Sequence, residues 1–161
     1  GQFSLGHAGF MIIGAYCAGV AVKQISASLG GILTGMLIGI AISGLVALVV
    51  AIPTLRLRGD YLAIATLGFG EIIRIVILNM KITNGAAGFI LPKLVDWRII
   101  FAAVVLCTVI IINFCRSAQG RACISVREDE IAAEALGINT TKDKIMACGV
   151  GAMFASVAGA L

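Results

Sequence analysis

Charge is what this sequence has least of. Lys, Arg, Asp and Glu together make up 12% of its 161 residues, roughly half the share of a soluble domain. With 60% hydrophobic residues and a mean hydropathy of +1.10, too few polar side chains remain to cover a water-soluble surface. The long apolar runs do not alternate with polar residues, which excludes a transmembrane β-barrel. No G-x-x-x-x-G-K-[ST] stretch occurs, so the chain cannot cradle a nucleotide in a P-loop. His7 is the only histidine, which leaves a histidine-based metal site without partners and reads as a satisfied, buried side chain. The five cysteines, Cys17, Cys107, Cys115, Cys123 and Cys148, lack metal or redox spacing and read as free thiols. No nucleophile–base pair, ligand cluster or cofactor fingerprint supports an enzyme. The net charge of +4 comes without the aromatic–basic patch of a nucleic-acid binder. No cleavable signal peptide is recognisable. Both termini fall in sequence of spanning character, so an internal piece of a longer protein is expected.

What is present is hydrocarbon in span-sized lengths. The expected fold is an all-α polytopic transmembrane bundle of about five spans, a single transmembrane domain over residues 1–161. The first span runs from about Phe3 to Val22. The second lies within the uncharged stretch 24–55 and places Gly31, Gly35, Gly39, Ser43, Ala47 and Ala51 on one helix face. Small residues spaced by four let helix backbones approach closely in lipid. Tyr61–Met80 and Ile99–Cys115 are the third and fourth spans, with Trp97 an interfacial anchor. The fifth starts at Ile145, with Ala147, Gly151, Ala155 and Gly159 on its packing face.

Two places break this apolar pattern. Glu71 and Arg74 sit inside the third span, where a charge costs about 2.5–3.5 kcal/mol on insertion scales. Three residues apart, they share a helix face and can pair. One reading is an ion pair buried in the bundle that fixes helix register. The other is a polar lining of a translocation path, assisted by a helix weakened at Gly68 and Gly70.

The second is the island Arg116–Lys144, which holds ten of the twenty charged residues and cannot lie in a bilayer. Ser125 followed by Glu128 predicts a capping box, and Gly137 a helix stop. Together they predict a short helix over Val126–Leu136. So short a helix is marginal alone and needs a dock, which Ile124, Ile131, Ala135 and Leu136 can supply through an apolar face. A plain solvated loop fits the residues equally well. Alternating spans place Arg56, Arg58, Arg116, Arg121, Arg127, Lys142 and Lys144 on one side, against Lys23, Lys81, Lys93 and Arg98 on the other. The positive-inside rule makes the island side cytoplasmic.

Three stretches together resemble the M-type permease subunit of the branched-chain amino acid ABC importers: Gly1–Tyr16 (GQFSLGHAGFMIIGAY), Leu57–Arg74 (LRGDYLAIATLGFGEIIR) and Gly120–Leu161, beginning GRACISVREDEIAAEALGINTTKDK. In the wider importer loop pattern, Glu-Ala-Ala is followed three residues later by Gly. Here Ala132 and Ala133 precede Gly137 at that spacing, while Ile131 takes the place of the Glu and Glu130 stands one position early. The resemblance implies that the island, about 116–144, is the coupling segment for cytosolic ATPase subunits, through Arg121, Arg127, Glu128, Asp129, Glu130, Ile131, Glu134, Ala135, Leu136 and Gly137. It also implies a second permease subunit, an external substrate-binding protein, surrounding membrane lipid and a bacterial plasma (inner) membrane. Neither a cofactor nor nucleic acid is expected, and ATP hydrolysis falls to partner chains. Related permeases carry urea or other small polar solutes, and a carrier or channel without an ATPase remains the alternative from another class.

Overall fold

The computed structural model describes residues 4–54, 56–57, 60–88 and 90–161. Phe3, the expected start of the first span, and Arg58 of the basic count lie outside the described residues. The described residues form seven α-helices in chain order: α1 His7–Gln24, α2 Leu29–Thr54, α3 Asp60–Asn79, α4 Trp97–Arg116, α5 Ala118–Glu128, α6 Glu130–Ala135 and α7 Thr140–Ala160. Among the described residues, α2, α3, α4 and α7 are long and apolar enough to cross a membrane. The expected count was five. α1 is 18 residues long, but His7 at its start and Lys23–Gln24 in its last turn dilute its apolar character.

The centre of the molecule is the crossing of α1, α2 and α7, built on missing side chains. A Cβ on Gly35 would lie 2.6 Å from the Cα of Ala18, and one on Gly39 would lie 3.3 Å from the Cα of Gly14 and 3.0 Å from Ser156 Oγ. The expected face of α2 is buried at all six positions, from Gly31 to Ala51. Contacts Gly39–Gly14 and Gly35–Ala18, with Gly39–Ser156 and Gly44–Met153, make α1 and α7 both antiparallel to α2. The α7 face follows expectation only in part. Beyond its first turn, where Thr140 and Asp143 are buried, its buried residues are Gly149, Ala152 and Ser156, and Ala147 is exposed. Gly159 and Gly151 of the expected stripe meet Met11 and His7 of α1, while Gly14 approaches Ser156 beside them, so the packing face overlaps the expected stripe and is turned partly past it. Phe10, Ile13, Ala47, Ile77 and Ala152 form the apolar core beside this crossing.

α3 joins through α1. Leu5 N–H donates to Thr66 Oγ1 at 3.1 Å, and a Cβ on Gly9 would meet the Gly70 Cα at 2.9 Å. The hydroxyl of Thr66 in turn donates to the Ala63 carbonyl at 2.9 Å, so this buried polar group is satisfied within its own helix. His7, expected buried, is exposed at the start of α1. Beyond α3, the chain turns through two short 3-10 segments, Lys81–Thr83 and Gly85–Ala87. Asn84, Gly85 and Gly88 there all have positive φ. Asp96 then caps α4 by accepting from the Trp97 N–H at 2.9 Å. α4 stands apart: none of its residues is buried.

Candidate functional site

The polar connection between α4 and α7 is a helical elbow rather than one helix. Ser117 leaves the helical path after α4 and caps α5, accepting from the Gly120 N–H at 3.1 Å. α5 then runs to Glu128. Asp129 breaks it with an extended backbone, φ −153° and ψ 111°, and caps α6. Its Oδ1 accepts from the N–H groups of Ile131 at 2.9 Å and Ala132 at 3.1 Å, satisfying two of the donors that a helix start leaves open. The expected helix Val126–Leu136 is therefore two helices meeting at Asp129. The expected Ser125–Glu128 capping box does not form, because Ser125 lies inside α5 and donates to the Ala122 carbonyl at 2.7 Å. Gly137, at φ +83°, ends α6. Gly137 and Ile138 donate to the carbonyls of Glu134 and Ala133, the pattern of a left-handed C-terminal cap.

The elbow residues divide into those turned in and those turned out. Ala133 is buried at 2% exposure, while Ile131 and Leu136 are each 81% exposed. Ala135 is also exposed. Lys144 Nζ donates to Glu130 Oε1, and Thr140 Oγ1 donates to Glu134 Oε1 at 2.8 Å. Arg127 and Glu128 pair with each other at the end of α5. Arg121 donates back to the Arg116 carbonyl at 2.6 Å. The thiol of Cys123 donates to the Asp143 carbonyl at 3.6 Å. Burial, and secondarily the Asp143 carboxylate, push the Cys123 thiol above its ordinary pKa.

Sequence reasoning missed Lys144, Thr140 and Asn139, the last of which caps α7 by accepting from the Lys142 N–H at 3.1 Å. The signal was there in part. Glu130 and Glu134 share one face of α6, and Thr140 and Lys144 share one face of α7, each pair spaced by four.

Glu71 and Arg74 do pair, with Arg74 Nη1 donating to Glu71 Oε1 at 2.9 Å. Their side chains are 56% and 57% exposed, so the expectation of a pair buried within this bundle is not met. Nor does the helix weaken at the nearby glycines. α3 is continuous from Asp60 to Asn79; Gly70 is a contact point with α1, and Gly68 faces open space. Among the described residues, no group of three or more His, Cys, Asp or Glu is placed to hold a metal ion.

Long apolar helices crossing through glycine contacts, joined by a folded polar elbow, define an all-α, multi-pass membrane protein. The family described as "branched-chain amino acid transport system / permease component" matches residues 1–161, and the chain belongs to it. Two curated relatives carry the printed name "High-affinity branched-chain amino acid transport system permease protein LivM". The chain is 35% identical to the one from Salmonella typhimurium over 197 residues and 35% identical to the one from Escherichia coli K12 over 201. Each match covers 100% of this chain and 46% of the relative, so the chain spans about half their length. No solved structure matches it significantly.

Proposed function

We propose that this chain belongs to the permease subunit of an ATP-driven importer of branched-chain amino acids in the bacterial plasma membrane, with α6 as the seat of a cytosolic ATPase. The observation that carries the reading is the pair of 81% exposed aliphatic side chains, Ile131 on α6 and Leu136 at its C-terminal cap, on an element held in place by its own N-terminal cap and its ties to α7. Large apolar residues presented to water on a rigid element are the features of a helix that docks in a groove. Paired charges at Arg127–Glu128 form a polar rim beside them. ATP binding closes the ATPase dimer, α6 moves with it, and the spans tilt to open the path outward. A second permease subunit and an external binding protein complete the assembly, while the exposed aliphatic faces of the spans meet lipid.

Glu71 and Arg74 fit this assembly. Glu71 lies about 16 Å along α3 from Asp60, at mid-bilayer depth, and half-exposed charges there need protein or water opposite them. We read that face of α3 as turned toward the path between the two permease subunits.

The test is uptake by the full-length permease reconstituted with its ATPases and binding protein. Ile131→Asp combined with Leu136→Asp should remove ATP-dependent leucine uptake and co-purification of the ATPase while leaving membrane insertion intact. Normal uptake by this double variant would contradict the docking site.

A further inference from the structure

The elbow is tied to α7 by side chains and to α4 by a close backbone turn. α6 is tied to α7 across the intervening turn by two rungs: Lys144 to Glu130 and Thr140 to Glu134. Both partners on each helix are four residues apart, so the rungs run side by side and resist twisting as well as separation. The Lys144 and Glu130 side chains are only 17% and 34% exposed, where an ion pair is screened less than on an open surface. The Cys123–Asp143 hydrogen bond adds a contact from α5 to α7. At the other end, α5 folds closely on the last turn of α4: a Cβ on Gly120 would lie 2.1 Å from the Phe114 carbonyl, and Arg121 donates to the Arg116 carbonyl; above that turn, however, no α4 residue is buried against the other spans.

α7 is in turn locked to α1 and α2. The Ser156 carbonyl stands 1.9 Å from where a Cβ on Gly14 would be, and the Met11 carbonyl stands 1.9 Å from where one on Gly159 would be. Backbones packed this closely have no side-chain layer to shear, so they move together or come apart. A displacement of α6 therefore reaches α7, α1 and α2 without slack.

We infer that α1, α2 and α7 form one rigid body driven by α6 through the Lys144–Glu130 and Thr140–Glu134 rungs, while α4 moves independently of it. This rests on α6 being the ATPase seat. Glu130, Glu134, Thr140 and Lys144 are positioning residues: they carry displacement and need not touch the ATPase or the substrate.

The experiment uses the full-length permease in its assembled complex in lipid, spin-labelled in pairs at exposed positions. The Ala135–Met153 distance, α6 to α7, should stay constant between nucleotide-free and nucleotide-loaded states. The Ala135–Phe101 distance, α6 to α4, should change. A changing Ala135–Met153 distance, or a constant Ala135–Phe101 distance, overturns the inference. In the same complex, Glu130→Gln should lower uptake per ATP hydrolysed by at least about fivefold, and the exchange Glu130→Lys with Lys144→Glu should restore it. Full coupling in Glu130→Gln would count against the rungs. Cross-linking from Ile131→Cys to the ATPase separates the two claims. If the cross-link forms while Ala135–Met153 varies, the rungs fail and the seat stands; if it does not form, the seat itself is wrong.

Discussion

Asp129 decides where the elbow bends. Its carboxylate holds two backbone N–H groups and its charge sits at the positive end of α6. Removing such a cap costs about 1 kcal/mol, a large fraction of what holds a six-residue helix together. Asp129→Ala should therefore speed amide hydrogen exchange at Ile131 and Ala132, while Asp129→Asn retains protection; equal exchange in both variants would show that the cap does not hold the helix. Cys123 gives a second residue-level readout. Alkylation needs the thiolate, and burial with the nearby Asp143 carboxylate holds Cys123 in its thiol form to higher pH than usual. At neutral pH, Cys123 should label more slowly than the exposed Cys115, and its rate should keep rising with pH above the ordinary thiol range. Faster labelling at Cys123 would contradict the local packing. Neither feature was legible beforehand. Glu128, Asp129 and Glu130 are three acidic residues in a row, and spacing alone cannot say which one leaves the helix. The extended backbone at Asp129 is set by how α6 folds back on α7, which local sequence does not encode.

At the scale of elements, the stripe on α2 was readable because six small residues, Gly31, Gly35, Gly39, Ser43, Ala47 and Ala51, keep an unbroken four-residue spacing, and all six are buried. On α7 the small residues surround the helix, so the spacing fits more than one face; the approach of Met11 and Gly14 selects the one used. The same geometry sorts the glycines by consequence. Gly14→Ala would force a methyl into the Ser156 backbone, whereas Gly68→Ala meets nothing within 4 Å and removes a helix-weakening glycine. In detergent, Gly14→Ala should lower the thermal midpoint of the permease or prevent its folding. Gly68→Ala should leave the midpoint unchanged or raise it. A reversed order would mean that the α1–α7 crossing is not as close as described. The Gly68–Gly70 segment shows the limit of reading glycine as a weak point: Gly70 is there to admit α1, and the helix runs through it unbroken.

For the whole molecule, the class of fold followed from scarcity of charge, and the family from three sequence stretches in order. What the sequence could not supply is which surfaces meet other chains, because a half-exposed ion pair and a buried one have the same spacing, as Glu71 and Arg74 demonstrate. The structure leaves two kinds of surface open. α4 presents an apolar face that suits lipid, whereas the Glu71–Arg74 face of α3 and the exposed Ile131 and Leu136 of the polar elbow suit protein or water. The account depends on that elbow being a seat. The most direct measurement is the mobility of a spin label at Ile131 in the full-length permease, before and after its ATPase is added. Strong immobilisation on addition, undiminished when nucleotide binds, is the predicted result. A label that tumbles as freely in the assembled complex as in the permease alone would contradict it.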